Sequence, residues 1–139
     1  ADEASNNEIE LTGIVRVNGE LNFKKSGFTS ITASSNSHAV DFATNTNNYN
    51  VTATNATNTI TFSNLSSSVI GKSGSIIITN PSSVGSLAFA ALPNTAYTPG
   101  GSTISFDTTA NAIAVISYLV IASNKVLVNY VGAFKQYGT

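Results

Sequence analysis

Ala112-Ile-Ala-Val-Ile-Ser-Tyr-Leu-Val-Ile-Ala122, the break Ser123-Asn124-Lys125, and Val126-Leu-Val-Asn-Tyr-Val-Gly-Ala-Phe134 together decide the fold. The first run is uncharged but too short for a membrane helix, which needs about 20 apolar residues. Its β-branched side chains (Ile113, Val115, Ile116, Val120, Ile121) and those of the second run (Val126, Val128, Val131) favour strand over helix. Branching at Cβ restricts χ1 in a helix but suits a pleated surface. The polar break has the length of a hairpin loop, so the stretch reads as two long antiparallel strands.

Both faces of the first strand are apolar. Ile113, Val115, Leu119 and Ile121 lie on one face, and Ala114, Ile116, Tyr118, Val120 and Ala122 on the other. An antiparallel strand with one wet face alternates apolar with polar residues. This one does not, so each face needs a cover: a second sheet of the same chain on one side and another copy on the other. Ile116, Tyr118, Val120, Val128, Tyr130 and Phe134 are the candidate subunit-interface residues.

Moving outward, the polar residues are uncharged. Ser, Thr and Asn fill 53 of 139 positions and only 9% of residues are charged, against about 25% in an average globular protein. These side chains compete for backbone hydrogen bonds, which disfavours helix and suits turns. A formal charge of -1 gives no basis for binding nucleic acid or an anionic membrane, both of which call for Lys/Arg clusters. No stretch reads as a leader or a membrane span. With no Cys there is no disulfide frame, thiolate nucleophile or Cys-based zinc site. The chain begins with Ala and lacks Met, which points to a processed start, by removal of an initiator Met or by signal cleavage.

Residues 1–8 are polar, carry three of the seven acids, and read as a solvated terminus or an arm that orders against a neighbour. Ile9, Leu11, Val15 and Val17 then alternate towards Asn18-Gly19, a hairpin signal. A three-residue loop, Asn18-Gly19-Glu20, keeps Val17 against Leu21 and Val15 against Phe23. Residues 28–33, 39–43, 49–54, 59–63 and 73–79 are strand candidates. Residues 87–92 are ambiguous, residues 93–101 form a long loop, and residues 102–107 alternate with Ile104 and Phe106 inward. The polar run 44–48 divides an N-terminal section, 1–48, from a main domain, 49–139. Short strands with frequent turn signals predict an all-β fold: an antiparallel, jelly-roll-like β-sandwich with an N-terminal hairpin arm.

No motif for chemistry survives inspection. His38 has Ser37 beside it and Asp41 three residues on, but triad members converge from separate parts of a fold. Gly71-Lys72-Ser73 resembles the end of a phosphate loop, yet Ser66 stands where the motif needs its first Gly. Asp41 and Asp107 are isolated, with no calcium-loop or paired-carboxylate spacing. No catalytic residue, cofactor site or metal site is expected. Three sequons, at Asn50, Asn55 and Asn64, are what chance gives in a chain so rich in Asn, Ser and Thr. Tyr97, in the Pro/Gly loop, is the candidate contact for a sugar, because aromatic rings stack on apolar sugar faces.

Residues Gly71-Lys-Ser-Gly-Ser-Ile-Ile-Ile-Thr-Asn80, Gly101-Ser-Thr-Ile-Ser-Phe-Asp107, Asn111-Ala-Ile-Ala-Val-Ile-Ser-Tyr118 and Val128-Asn-Tyr-Val-Gly-Ala-Phe134 resemble β-domains of tailed-phage virion proteins, of the tail-fibre-like or capsid-decorating (cement) kind. The likeness spans about residues 69–135. It implies a β-sandwich that assembles as a homotrimer on the particle surface, beside other virion proteins and without enzymatic activity. The alternative reading is a carbohydrate-binding or adhesion module that attaches to a host-surface glycan through Tyr97.

Overall fold

The computed structural model describes residues 27–138, together with residues 12–14, 16 and 18–19. Most of the N-terminal hairpin expected between Ile9 and Phe23, including its alternating apolar residues Ile9, Leu11, Val15, Val17, Leu21 and Phe23, lies outside the described residues. Among the described residues there are nine strands: β1 (Phe28–Ile31), β2 (Ser37–Asp41), β3 (Asn48–Thr52), β4 (Thr57–Ser63), β5 (Ser73–Thr79), β6 (Ala88–Phe89), β7 (Ala96–Tyr97), β8 (Ile113–Ala122) and β9 (Lys125–Phe134). They form a six-stranded sheet, β1-β3-β5-β8-β9-β7, and a three-stranded sheet, β2-β4-β6. The two sheets pack on one apolar core as an all-β sandwich.

The expected antiparallel pairing is found where β8 joins β5 and β9. Elsewhere it is corrected: β1-β3, β3-β5, β2-β4, β4-β6 and β7-β9 are parallel. The chain passes from one sheet to the other and back, so β1-β2, β3-β4 and β5-β6 are successive turns of a flat coil. A jelly roll, built from antiparallel Greek keys, has a different connectivity. Here the terminal hairpin closes the coil by laying β8 antiparallel on β5. Because β1 and β2 pair with β3 and β4, both sheets run uninterrupted across the polar segment 44–48.

The strands alternate as their residues dictate. Val40, Tyr49, Val51, Ile60, Ile76 and Ile78 are buried, while the Ser, Thr and Asn that alternate with them in the strands, Asn58 apart, lie nearer solvent. Phe42 sits at the centre of an aromatic cluster, edge-on to Phe62 and Tyr118 at 5.3 Å each. Residues 102–107 form no paired strand, yet Ile104 and Phe106 do pack on the core, with Phe106 stacked on Phe89 at 4.8 Å.

The corners are built from uncharged polar side chains. Ser35 and Asn36 both take positive φ, 49° and 64°, in a tight turn closed by paired Ser34–Ser37 backbone bonds of 2.9 Å. Asn tolerates this left-handed backbone better than most residues. Asn58, fully buried, is the main tie. Its Oδ1 accepts from the Thr54 N–H and the Thr54 hydroxyl, and its Nδ2 donates to the carbonyls of Thr54 and Ala56. Asn80 likewise donates to the carbonyls of Asp107 and Thr109.

Replacing Asn58 with Ala should lower unfolding free energy by about 3 kcal/mol or more, since each buried polar group left unpaired costs about 1–3 kcal/mol. Urea denaturation checks this; a loss below about 0.5 kcal/mol, the usual scale of a surface substitution, would refute the role given to Asn58. Gly74→Ala should also destabilise strongly, because a Cβ there would run into the backbone carbonyl of Asn47.

Candidate functional site: the outer face of the terminal hairpin

The two faces of β8 and β9 have opposite fates. Ile116, Tyr118, Val120 and Val128 are at most 4% exposed and face the second sheet. They were expected at a subunit interface, and that assignment is corrected: side chains buried by their own chain have no surface to offer a neighbour. Tyr130 lies on the same inner face, half-buried, with its ring edge-on to Phe106 at 5.2 Å and its hydroxyl accepting from the Asp107 N–H at 2.8 Å. Of the six, only Phe134 is exposed, at 51%.

The opposite face is the free one. Ile113, Leu119, Ile121, Leu127, Val131 and Phe134 are each between 39% and 51% exposed. Register turns them into rows across the hairpin: Leu119 opposite Leu127, Val115 opposite Val131, and Ile113 opposite Phe134. Between the first two rows Ser117 stands opposite Asn129, and Ser75 of β5 continues that polar row. Tyr97, Leu119, Leu127, Ser117 and Asn129 line a shallow depression of about 420 Å³. The Lys125 ammonium lies 4.9 Å over the Tyr97 ring, so one face of the aromatic proposed for sugar stacking is already occupied.

The other candidates for chemistry are held in structural roles. His38 is fully buried, with Nε2 2.9 Å from Asn58 Oδ1. Because that oxygen can only accept, Nε2 carries the hydrogen of this bond, and the buried Nδ1 has no hydrogen-bond partner among the described residues. Asp41, three residues along the same strand, projects to the other face. There it accepts from the Asn64 amide at 2.7 Å and the Ala43 N–H at 2.9 Å, and these bonds hold its carboxyl below the ordinary range. The two residues therefore do not converge. Asp107 is bonded to the Thr109 N–H, which lowers its pKa in the same way.

Lys72, from the phosphate-loop look-alike, donates to the carbonyls of Phe42 and Thr44 at 2.8 Å each. It also lies 5.5 Å over the Tyr49 ring. Its ammonium fastens β5 to the corner after β2. Among the described residues no cluster of three or more His, Cys, Asp or Glu could hold a metal, and no helix is long and apolar enough to cross a membrane. No family model, curated protein or solved structure matches the chain.

Tyr118 gives a test of which face is inside. Its hydroxyl donates to the Asn47 carbonyl at 2.6 Å. Burial, with the neighbouring Tyr49 adding to it, pushes its pKa well above the ordinary 10.0. A raised folded-state pKa gives stability that is complete below the unfolded value and drains away as pH climbs past it. Urea midpoints should therefore fall as pH rises above about 10, and Tyr118→Phe should flatten that fall while costing about 1 kcal/mol at neutral pH. An unchanged alkaline slope in the variant would show that Tyr118 is not the group responsible.

Proposed function

We propose that this chain is a non-enzymatic structural protein of a phage virion, assembling as a homotrimer on the particle surface as a capsid-decoration (cement) or tail-fibre component. The observation that carries this reading is the outward apolar face of β8 and β9, with six large side chains about half exposed, five of them in matched rows. Soluble monomers rarely leave so continuous an apolar surface uncovered. Symmetric association of identical chains covers such a face without any new sequence. The resemblance of residues 69–135 to phage virion domains supplies the setting. An uncharged polar surface suits a chain that works outside a cell and packed against copies of itself.

The adhesion reading ranks second. Tyr97 is 40% exposed at the border of the apolar depression, but Lys125 lies over its ring, and the surrounding face is more apolar than a sugar requires. Light scattering of the purified chain should give three times the 14.3 kDa chain mass, and antibodies against the chain should label intact particles. A monomer at micromolar concentration, or particles free of label, would sink this function.

A further inference from the structure

We infer that the outer face of β5, β8, β9 and β7 is where copies of this chain meet, and that Asn129 with Ser117 is the polar key fixing their register. This rests on the reading of the chain as a self-assembling structural protein and adds to it a specific surface and a specificity-determining pair.

Size is the first argument. β8 and β9 with ten residues each, β5 with seven and β7 with two, at about 3.3 Å per residue and about 4.8 Å between strands, make a face on the order of 460 Å². Two such faces bury about 900 Å² in total, short of the roughly 1,200 Å² of a standard specific interface, so the contact depends on its polar groups being satisfied as well.

Charge is the second argument. Outward positions of β8 are Ile113, Val115, Ser117, Leu119 and Ile121, with no ionisable group. On β9 the sole cation is Lys125, at the hairpin tip, drawn over Tyr97 at the rim. A second copy can meet this face without like-charge repulsion.

The third argument is the interruption. Ser117 and Asn129 face each other across the hairpin, flanked by Leu119·Leu127 on one side and Val115·Val131 on the other. Among the described residues neither side chain has a hydrogen-bond partner. Covering this row with an apolar partner would strand an amide and a hydroxyl, which buried polar groups do not tolerate. Bringing the same row of neighbouring copies together around a symmetry axis satisfies both, because an amide and a hydroxyl each donate and accept. Only one sliding register brings row onto row, as a single buried Asn sets register in helical assemblies.

Three variants test this by native mass spectrometry and light scattering, with circular dichroism to confirm folding. Leu119→Asp and Leu127→Asp change side chains already about 40% exposed, so the chain should fold and its mass should fall to 14.3 kDa. Asn129→Leu should stay associated but lose its single stoichiometry, giving a mixture of oligomers. If the wild type is oligomeric and both Asp variants remain so, the face is wrong while the assembly reading stands. If Asn129→Leu keeps one sharp stoichiometry, the register role is overturned. A wild-type chain that is monomeric and floats with phosphatidylcholine vesicles would overturn both readings and give the face to lipid.

Discussion

Strand β8 is bonded along its length to β5 on one edge and β9 on the other, and this double pairing constrains everything around it. Strand side chains point alternately to opposite faces, so once the backbone is fixed on both edges, each residue of β8 can only face the core or the outside. Tyr118 selects which. Its ring meets Phe42 at 5.3 Å and its hydroxyl reaches the Asn47 carbonyl, contacts available only from the inner face. Ile116 and Val120 follow it inward by period two. Ile113, Val115, Leu119 and Ile121 are thereby turned outward, although they are as apolar as the residues inside. The outer face is a geometric consequence of how the coil is closed.

The same logic accounts for the unusual composition. A chain that turns from one sheet to the other at the end of nearly every strand has many corners, and each corner leaves backbone N–H and C=O groups outside any ladder. Asn58 and Asn80 satisfy these groups with short side chains that can both donate and accept. Longer charged side chains would lose more rotamer freedom and carry a desolvation cost. Lys72 is the exception, and it is half-buried because two carbonyls and an aromatic face surround its ammonium.

Much of the strand layout was legible in the sequence because period-two alternation is local. The terminal hairpin, β3, β4 and β5 lie within two residues of where alternation puts them. Direction of pairing was not legible. A strand with one wet face reads the same whether its neighbour runs parallel or antiparallel, and parallel sheets usually announce themselves by being apolar on both faces. Here the parallel strands carry Thr, Ser and Asn outward and imitate antiparallel ones. The candidate interface residues fall mostly on the buried face for a related reason: periodicity divides Ile113–Ala122 into two sets but is silent on which set the second sheet claims. One signal did exist. Tyr118 has a hydroxyl that needs a partner if buried, and the small Ala114 and Ala122 share its face, as tight packing between sheets would require. The polar interruption Ser117·Asn129 was invisible until register placed the two residues opposite each other.

That interruption decides between kinds of cover. About 460 Å² of mainly apolar surface, at about 25 cal/mol per Å², offers each copy on the order of 11 kcal/mol before costs. Association alone costs an estimated 4–15 kcal/mol or more, so the margin is narrow and no polar group on the face can be left unsatisfied. A symmetry axis places residues against their own copies. Lys, Arg, Asp or Glu at such a position would repel itself, whereas Asn and Ser can pair with themselves. The outward positions in the middle of this face carry only residues of the second kind or apolar ones. A surface evolved for an unrelated partner has no reason to obey that restriction, and one facing lipid would not keep an amide at its centre. On the proposal that copies of this chain cover the face, the apolar rows and the polar row are satisfied together.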